Sequence, residues 1–344
     1  MNQIINIHNT IIEALETLNR NSLSLTIFVV DDNRRLVGSL TDGDVRRYII
    51  SGGNLTDDLS GAVHYNCLFV RENDPMFLVE LRKFRNTKIN AVPCLDKDGR
   101  IVEIFDFIKF KSYLPIDAVL MAGGKGERLR PLTEKTPKPL IKVGDKCIID
   151  YNIDRLIEFG VKHINVTVNY LKEQLYEHFE EPRNGLKIDT VEEPKFMGTI
   201  GSIRYVKEFH NDTILVMNSD LFTDIDFEDF YLHFKEHRAD MSVAAIPYNV
   251  SIPFGILNLE GRNIRGLLEK PKYNYYANGG IYLIKKSALA EIPDDIFFNA
   301  TDLIEKLIIE KKTVIRYPLN GTWIDIGQHV DLQKAKDLVK HLYR

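Results

Sequence analysis

The sequence predicts an α/β protein of two domains, in which the larger domain contains a mainly parallel β-sheet covered by helices on both faces. Three observations support this prediction: the length of 344 residues, a repeated pattern confined to the first 115 residues, and a regular alternation of apolar strands and amphipathic helices after that point. We expect residues 1–114 to form the first domain and residues 115–344 the second.

Composition argues against several classes of protein. The formal net charge of −4 and the pI near 6.2 are unlike those of a nucleic-acid-binding protein, which carries a basic excess. The sequence contains no run of 18 apolar residues and no cationic, apolar leader, so we expect neither membrane insertion nor export. Cys67, Cys94 and Cys147 lack metal-site spacing, which suits free thiols in a reducing compartment and predicts a cytoplasmic protein.

The first domain contains two copies of one strand–turn–strand–helix unit, about 65 residues apart. In order, the first copy has a strand (26–30), a turn (31–34), a strand (35–40) and a helix (41–50), and the second has a strand (88–93), a turn (96–99), a strand (101–105) and the start of a helix (107–111). Such a repeat indicates two equivalent units that pack against each other.

The corner at residues 37–46 resembles the strand-to-helix corner of CBS domains (the cystathionine-β-synthase module), so the first domain resembles a tandem CBS pair. The resemblance implies that Thr41 and Asp44 bind the ribose of an adenine nucleotide, while the helix N-terminus favours its phosphate. In the second copy Asp106 and Lys109 occupy these positions, so we expect one nucleotide site at most. Alternatively, Thr41 only caps the helix and the pair is a structural or dimerising module.

A glycine-rich turn with converging cations follows the first strand of the second domain. The apolar strand 116–121 ends at a turn whose backbone bends sharply and whose amides can approach a ligand without interference from Cβ atoms. The turn contains Gly123, Gly124 and Gly126, and the surrounding cations are Lys125, Arg128, Arg130 and Lys138. Backbone donors and positive charge together predict a cradle for a triphosphate. The spacing matches neither the Walker phosphate loop nor the dinucleotide fingerprint.

The stretch from Leu120 to Leu140 resembles the signature of the sugar-1-phosphate nucleotidyltransferases, Leu-Ala-Gly-Gly-x-Gly-Thr-Arg-Leu followed by Pro-Leu-Thr and Pro-Lys-Pro. It departs from that signature at Met121 and at Glu127, where the family usually has threonine. The resemblance extends from about residue 116 to residue 344 and implies a Rossmann-like, GT-A-like domain. It also implies the reaction, in which a sugar 1-phosphate oxygen attacks the α-phosphorus of a nucleoside triphosphate and expels pyrophosphate.

In that reaction the protein aligns two polyanions and neutralises the charge that develops. Arg128 is expected at the pyrophosphate end, because a planar guanidinium bridges two phosphate oxygens. Lys138, held between two prolines, is expected at the reacting phosphates. The resemblance also implies a set of nucleotide-binding residues: Leu120, Ala122, Gly123, Gly124, Lys125, Glu193 and Gly198.

Two carboxylates are predicted to hold Mg²⁺, which prefers hard oxygen ligands. Asp220 follows an apolar strand that begins at Thr213, so it lies at the carboxyl edge of the sheet, where α/β proteins place their sites. Ser219 stands where the family usually has glycine before this aspartate. Asp325 lies in Trp-Ile-Asp-Ile-Gly, which resembles the family's Trp-x-Asp-x-Gly.

The resemblance implies sugar-side residues between these two carboxylates. The Glu-Lys-Pro motif implies that Glu269 accepts hydrogen bonds from sugar hydroxyls and that Lys270 holds the sugar phosphate. Asn278 and Gly279, in a motif resembling Asn-x-Gly-Ile-Tyr, are expected to reach the sugar and to let the backbone close on it. Gly255 allows a further close approach.

The choice of base depends on residues 191–202, which resemble the family's Glu-Glu-Pro-x-x-Leu-Gly-Thr-Ala-Gly. Guanine presents two N–H donors that match the two acceptors of an ionised carboxylate, whereas uracil and thymine suit an amide better. Glu193, or Glu192 if the register differs by one residue, therefore favours GTP. Asn169 and Tyr170, at the end of the predicted strand 164–168, are weaker candidates for the same site.

The remaining elements complete the predicted sheet. Amphipathic helices are predicted at 148–159, 171–181, 227–237, 301–311 and 331–342, and strands are predicted at Ile164, Ile188, Ile214, Met241 and Val314. Their alternation is typical of a mainly parallel sheet with helices on both faces.

The order of the domains resembles a small branch of guanylyltransferases with N-terminal CBS pairs, which act on glucosamine 1-phosphate and serve legionaminic acid biosynthesis. The expected reaction is Mg²⁺-dependent transfer from GTP to D-glucosamine 1-phosphate or a related hexosamine phosphate, by a homo-oligomer. Three alternatives remain open: a mannose-1-phosphate guanylyltransferase, a uridylyl- or thymidylyltransferase, and a catalytically inactive nucleotide-sensing subunit. The last should lack a metal carboxylate or the cationic pair, whereas this chain has Asp220, Asp325, Arg128 and Lys138.

Overall fold

The structure is a computed structural model that describes residues 3–20, 25–72, 74, 76–87 and 89–342. The chain divides into two units: Met1–Leu114 with Glu158–Gly160 form one, and Pro115–Ile157 with Val161–Arg344 form the other. Within the described residues, no helix combines the length and the apolar character that crossing a bilayer requires.

Two small three-stranded sheets of the same topology form the first unit. In each sheet the central strand pairs in parallel with the strand before it and antiparallel with the strand after it. The first sheet and its helices are β1 (Ile4–Asn6), α1 (Ile11–Arg20), β2 (Thr26–Val30), β3 (Leu36–Thr41) and α2 (Asp42–Ile50); the second comprises β4 (Val70–Arg71), α3 (Phe77–Arg85), β5 (Ala91–Leu95) and β6 (Ile101–Asp106).

The repeat extends to individual hydrogen bonds. Asp31 Oδ1 accepts from the amides two and four residues further on at 2.9 and 2.8 Å, and Asp96 Oδ1 does the same at the same distances. The central strand of each sheet has a register irregularity immediately before its last residue, Val30 in β2 and Leu95 in β5. The two copies therefore share turn chemistry as well as strand order.

The second copy differs from the prediction at its end. The prediction of a helix at 107–111 is wrong: the chain forms a short turn there. Asp106 Oδ1 accepts from the amides of Ile108 and Lys109 at 2.9 and 3.3 Å, and the chain then turns so that Tyr113 packs edge-on against Phe105, with ring centroids 4.4 Å apart. Aromatic packing has outweighed local helix propensity here. Residue 88, where the preceding strand was predicted to begin, lies outside the described residues.

The second unit is built on a seven-stranded sheet, whose strands in spatial order are β11 (Ile188–Glu192), β10 (His163–Val168), β7 (Asp117–Met121), β12 (Thr213–Asn218), β17 (Lys272–Lys285), β14 (Met241–Ser251) and β18 (Val314–Pro318). All strands run in parallel except β17, which is antiparallel to both neighbours, so the predicted mainly parallel α/β fold is confirmed. The short strands outside this sheet are β8 (Lys142–Val143), β9 (Lys146–Cys147), β13 (Leu221–Thr223), β15 (Ile256–Glu260), β16 (Asn263–Leu268) and β19 (Trp323–Asp325). The helices are α4 (Ile148–Glu158), α5 (Lys172–His178), α6 (Phe227–Glu236), α7 (Ala300–Ile309) and α8 (His329–Leu342).

The apolar side chains of the central strands explain the stability of this sheet. Val119 of β7, Ile214 and Val216 of β12, and Leu303 of α7 are fully buried in one cluster. Because β7, β10 and β12 are parallel neighbours, their carboxyl ends meet at one edge, where the polar motifs of the sequence follow them.

Beyond the sheet, β14 and β17 continue together as a two-stranded ribbon, with Ser251 opposite Lys272 at its far end. The antiparallel hairpin β15–β16 follows, and it exposes large apolar side chains such as Leu259 and Ile264. The ribbon and hairpin were not predicted, because an exposed antiparallel ribbon lacks the buried apolar run that marks a sheet strand.

Candidate active site

The glycine-rich turn leaves the carboxyl end of β7, between β10 and β12. Leu120 is fully buried in the strand, and Ala122 donates its amide to the Thr167 carbonyl of β10 at 3.1 Å. Gly126 has a left-handed φ of +61°, and a Cβ there would lie 3.0 Å from the Lys138 Cβ. Backbone conformation and space therefore both require glycine at this position.

The turn lines a cavity of about 580 Å³. Of the predicted nucleotide-binding residues, Ala122, Gly123, Gly124 and Lys125 line this cavity; Leu120 lies instead in the core. Other lining residues come from several separate segments: Arg128, Lys138, Asn169, Phe196, Ser219 and Asp220. The volume and the lining suit a nucleotide-sized ligand with a polyanionic end.

Asp220 and Asp325 are brought together by a short antiparallel ladder between β13 and β19, in which Leu221 is paired with Asp325. The amide of Ile326 donates to the Asp220 carbonyl at 3.2 Å. Lys138 Nζ contacts Asp220 Oδ2 and lies 3.9 Å from Asp325 Oδ1. Three of the four predicted catalytic side chains therefore meet at one point.

Arg128 approaches the same point from the glycine-rich turn. A Cβ added to Gly327, two residues after Asp325, would lie 3.2 Å from Arg128 Nη2. The guanidinium thus packs on the backbone of Gly327, which is itself a lining residue of the cavity. Arg128, Lys138 and Asp220 therefore line the cavity, and Asp325 lies beside them, 3.9 Å from Lys138 Nζ.

The carboxylates have the properties expected of a site for a divalent cation. Asp220 Oδ1 is buried, and no hydrogen-bond partner for it occurs in the part of the chain that the structure describes. Burial and the neighbouring Asp220 carboxylate raise the pKa of Asp325, against the opposing effect of Lys138. Lys138 neutralises part of the charge of the two carboxylates, but burial of the unpaired Asp220 Oδ1 remains costly unless a further cation binds it. The two residues therefore fit Mg²⁺, which is typically held by one or two carboxylates together with phosphate and water oxygens.

The two candidate base-reading glutamates have opposite environments. Glu193 is 3% exposed and its carboxylate lies behind Gly123, where it accepts the Met197 amide at 3.4 Å. Burial raises the pKa of Glu193, although this hydrogen bond opposes the shift. Glu192 is exposed and accepts from Lys172 Nζ at 2.5 Å, which lowers the pKa of Glu192. Glu193 borders the cavity wall, whereas Glu192 lies in a surface ion pair.

The predicted sugar-side residues lie on the ribbon and on the segments that flank the hairpin. Gly255 and Glu269 are adjacent, since a Cβ at 255 would lie 3.0 Å from Glu269 Oε2. Asn278 and Gly279 lie within β17, and the Gly279 carbonyl accepts from Trp323 Nε1 of β19 at 2.9 Å. Lys270 has a left-handed φ of 44°. None of these five predicted residues is among those that line the 580 Å³ cavity.

The first unit has its own cavity, also of about 580 Å³. Thr41, Asp42 and Arg46 at the start of α2 line it, but Asp44 does not. Thr41 and Asp44 form a capping box, in which the Thr41 amide donates to Asp44 Oδ2 at 2.8 Å. Arg47 Nη2 donates to the other oxygen of Asp44 at 2.6 Å. Both oxygens of the predicted ribose-binding carboxylate are therefore engaged within α2.

Three residues at or near the active-site wall were given no role by the sequence. Phe196 lines the cavity although it is an isolated aromatic residue in a loop. Ser219, which departs from the family pattern, donates its hydroxyl to the Met121 carbonyl at 2.7 Å and so joins the carboxyl ends of β12 and β7. Asn152 of α4 donates to the Leu221 carbonyl at 2.8 Å and holds the start of β13. Neither contact has a signal in periodicity or motif spacing.

Comparisons with known proteins identify the families that the chain resembles. The family profile described as nucleotidyl transferase matches residues 117–341, and the profile described as CBS domain matches residues 3–51. One curated relative is the bifunctional protein GlmU of Methanocaldococcus jannaschii, 36% identical over 231 residues that cover 64% of this chain and 53% of the relative. Another is the mannose-1-phosphate guanylyltransferase catalytic subunit beta of Danio rerio, 29% identical over 226 residues that cover 62% of each chain.

A solved structure shares the fold of the second unit. HddC from Yersinia pseudotuberculosis, complexed with GMP-PN, is 22% identical with a TM-score of 0.52, and the match covers 65% of this chain and 99% of that one. This chain spans between about half and three-fifths of the length of the two curated relatives. The profile match over residues 117–341 covers well over half of the chain. The protein therefore belongs to the nucleotidyl transferase family and has a CBS domain at its N-terminus.

Proposed function

We propose that this protein transfers a guanylyl group from GTP to a sugar 1-phosphate and releases pyrophosphate. The observation that carries the proposal is that Lys138 and Asp220 meet in the cavity lined by the glycine-rich turn, with Asp325 beside them. Amides and cations that can hold a triphosphate there lie beside carboxylates that can hold Mg²⁺. This combination serves phosphoryl transfer, in which positioning and charge neutralisation supply most of the catalysis.

In the proposed reaction, the amides of Gly123 and Gly124 and the side chain of Arg128 bind the triphosphate. An oxygen of the sugar 1-phosphate forms a bond to the α-phosphorus, and the bond from that phosphorus to the bridging oxygen of the β-phosphate breaks. The electron pair of the broken bond leaves with pyrophosphate, so no oxidant or further reactant is needed. Lys138 neutralises charge on the reacting phosphates.

Asp220 and Asp325 are the residues that would hold Mg²⁺. The ion supplies charge neutralisation and alignment of phosphate oxygens when it is bound. The ion pair of Lys138 with Asp220 places a cation of the chain against the same carboxylate. We infer that Lys138 moves toward the substrate phosphates when those phosphates and the metal are present.

The proposal of GTP rests on Glu193. Its carboxylate packs against Gly123, which lines the cavity. A carboxylate at that point matches the two N–H donors of guanine. One curated relative is a mannose-1-phosphate guanylyltransferase, which also supports a guanylyl donor. The alternatives are a uridylyl- or thymidylyltransferase.

For the acceptor we propose D-glucosamine 1-phosphate or a related hexosamine phosphate, in the biosynthesis of legionaminic acid. The support is the combination of a CBS domain with a nucleotidyl transferase domain, as in the guanylyltransferase branch named above. Mannose 1-phosphate is the principal alternative, given the identity of one relative. Glu269, Lys270, Asn278 and Gly279 are proposed to contact the sugar phosphate, with Gly255 allowing close approach.

We propose that the first unit is a tandem CBS pair that binds one adenine nucleotide. We also propose that the protein acts as a cytoplasmic homo-oligomer. The shared topology of the two small sheets supports the pair, and the cavity beside the N-terminus of α2 supports the ligand. Thr41 and Arg46 line this cavity, so they are the better-placed contacts, while Asp44 would need to leave its capping box to reach ribose.

One assay tests the proposed function. Pyrophosphate release would be measured with purified protein and Mg²⁺ for GTP, ATP, CTP, UTP and dTTP, each combined with glucosamine 1-phosphate, N-acetylglucosamine 1-phosphate, mannose 1-phosphate and glucose 1-phosphate. We expect GTP to exceed UTP and dTTP at least tenfold with a hexosamine phosphate. A pyrimidine preference would refute the base assignment, and no pyrophosphate with any pair would refute the enzymatic proposal.

A further inference from the structure

An exposed aromatic pair lies beside the nucleotide cavity. Phe196 lines the cavity and is 53% exposed, and Phe297 is 51% exposed, with the two ring centroids 5.7 Å apart. Exposing two adjacent large aromatic rings to water is unfavourable, because each could bury a large apolar area on contact with a ligand. Because Phe196 of this pair lines the cavity, its exposed ring indicates which chemical group of a ligand lies against it.

Backbone hydrogen bonds join the two segments that carry these rings. The amide of Phe298 donates to the Met197 carbonyl at 3.0 Å, and the amides of Ile200 and Gly201 donate to the Phe298 carbonyl at 3.2 and 3.1 Å. These bonds join the loop carrying Phe196 to the segment carrying Phe297. The rings are therefore presented by paired, well-bonded segments.

Side chains reinforce this connection. The amide of Thr199 donates to Asn299 Oδ1 at 3.2 Å, and the Thr199 hydroxyl accepts from the Ala300 amide at 2.9 Å. Gly198 has φ +81°, and a Cβ there would lie 2.5 Å from the Phe298 carbonyl oxygen. Glycine at 198 is thus explained by the close approach of the two segments as well as by its backbone conformation.

The cavity itself indicates which part of a nucleotide lies near Phe196. Lys125, Arg128 and Lys138 supply positive charge around the glycine-rich turn and suit the phosphates. Phe196 and Asn169 are the lining residues that offer a ring face and an amide. The Asn169 amide nitrogen donates to the Glu193 carbonyl at 3.0 Å, which ties this part of the wall to the proposed base-reading residue.

We propose that Phe196 stacks on the nucleobase of the bound triphosphate, with Phe297 packed behind it as its support. This inference rests on the proposed function, which places the nucleotide in this cavity. It adds that Phe196 favours a purine base, because a purine overlaps its ring more fully. Every base has a π-face, and purines offer the larger one, so stacking on Phe196 would add affinity for GTP beyond the hydrogen bonds of Glu193.

The test is a binding measurement on the full chain, which decides the inference whether or not the protein turns over a sugar 1-phosphate. Dissociation constants for GTP, UTP and inorganic tripolyphosphate would be measured with Mg²⁺ by calorimetry for wild type, Phe196→Ala and Phe196→Trp. Tripolyphosphate has no base, so it reports on the phosphate contacts alone. The control is Ile296→Ala, which removes a 56% exposed apolar side chain beside Phe297 that does not line the cavity.

We expect Phe196→Ala to weaken GTP binding roughly 5- to 100-fold, to weaken UTP binding less, and to leave tripolyphosphate binding within twofold. Phe196→Trp should retain GTP affinity and show fluorescence quenching by GTP but not by tripolyphosphate, relative to the wild-type signal of Trp323. Ile296→Ala should bind like wild type. GTP affinity unchanged in Phe196→Ala, equal losses for GTP and tripolyphosphate, or no GTP binding by wild type would each overturn the inference.

Discussion

Gly123 and Glu193 lie so close together that the residue at 123 has no room for a side chain. A Cβ there would lie 2.9 Å from the Glu193 carboxyl carbon and closer still to one of its oxygens. At Gly124, a Cβ would meet no atom within 4 Å. Two successive glycines of one motif therefore have different reasons to be glycine, the first steric and the second related to the approach of a ligand.

This contrast predicts different effects of alanine at the two positions. Gly123→Ala should lower the free energy of unfolding by about 1–3 kcal/mol, because the buried carboxylate must move. Gly124→Ala should change it by less than about 1 kcal/mol, in either direction. Urea denaturation of both variants checks the prediction. Equal stability of the two variants would contradict the close packing of Gly123 on Glu193.

The stability of the protein should depend on pH through Glu193. Burial raises the pKa of its carboxyl above the ordinary value of 4.5, so the native state binds the proton more tightly than the unfolded state does. The associated stability is complete below about pH 4.5 and is lost as pH rises through the higher native pKa. The stability of Glu193→Gln relative to wild type should therefore increase from pH 4.5 to pH 7.5.

The neighbouring residue, Glu192, provides a control, because its pKa is shifted in the opposite direction. Hydrogen bonds from Lys172 and Tyr176 lower the pKa of Glu192, so its contribution is present above the unfolded pKa and is lost as pH falls. The stability of Glu192→Gln relative to wild type should therefore stay nearly constant from pH 4.5 to pH 7.5, because the contribution of Glu192 is already present above the unfolded pKa. Urea titrations at pH 4.5, 6.0 and 7.5 measure both variants, and the same trend in both would contradict the assigned environments.

Turnover should require both carboxylates that meet at Lys138. Asp220→Asn and Asp325→Asn should each reduce the rate of pyrophosphate release by about two powers of ten or more, because preorganised charge is lost. Asp337→Asn, on the surface of α8, is the matched control and should retain the wild-type rate. Wild-type activity in EDTA, or full activity of either active-site variant, would count against metal binding at these residues.

Ser219→Ala tests the contact between the carboxyl ends of β12 and β7. The Ser219 hydroxyl bonds to the Met121 carbonyl at 2.7 Å, and the Ser219 amide donates to the same carbonyl at 3.2 Å. Removal of the hydroxyl should cost about 0.5–1.5 kcal/mol of unfolding free energy, since the carbonyl keeps one partner. A loss above about 3 kcal/mol would show that Ser219 has a further role.

The proposed adenine nucleotide can be tested by calorimetry of the full chain with AMP, ADP and ATP. Arg46→Ala should weaken binding about tenfold, because Arg46 lines the cavity of the first unit. Arg20→Ala, which removes an exposed cation outside that cavity, is the control. No difference in binding heat between Arg46→Ala and wild type would leave the unit as a structural module.

Asp44→Ala should remove the capping box and lower the free energy of unfolding by about 1 kcal/mol.

The sequence predicted the parts of the fold that depend on local patterns. The apolar run ending at Met121 and the alternation after it are properties of single segments, so the parallel sheet could be predicted. The same holds for the 65-residue repeat, which reappears in the bonds of Asp31 and Asp96. The helix predicted at 107–111 failed because Tyr113 packs against Phe105, a tertiary contact that no helical period reveals.

Site residues could be predicted where they belong to a sequence motif. They could not be predicted where segments distant in the sequence come together. Lys138, Asp220 and Asp325 were predicted individually, and the structure shows that they converge. Phe196 was missed, because its position is set by backbone bonds to a segment about a hundred residues further along. The hydrogen bonds of Asp44 in its capping box depend on side-chain rotamers. The sequence therefore left both interpretations of Asp44 open, ribose binding and helix capping.

The ladder between β13 and β19 has a consequence for how the protein becomes active. It joins the segment after Asp220 to a strand roughly a hundred residues later, close to the last helix. A ribosome releases the glycine-rich turn and Asp220 well before it releases Asp325. A nascent chain could therefore cradle a triphosphate while lacking half of its proposed metal site, so nucleotide binding can precede catalytic competence during synthesis.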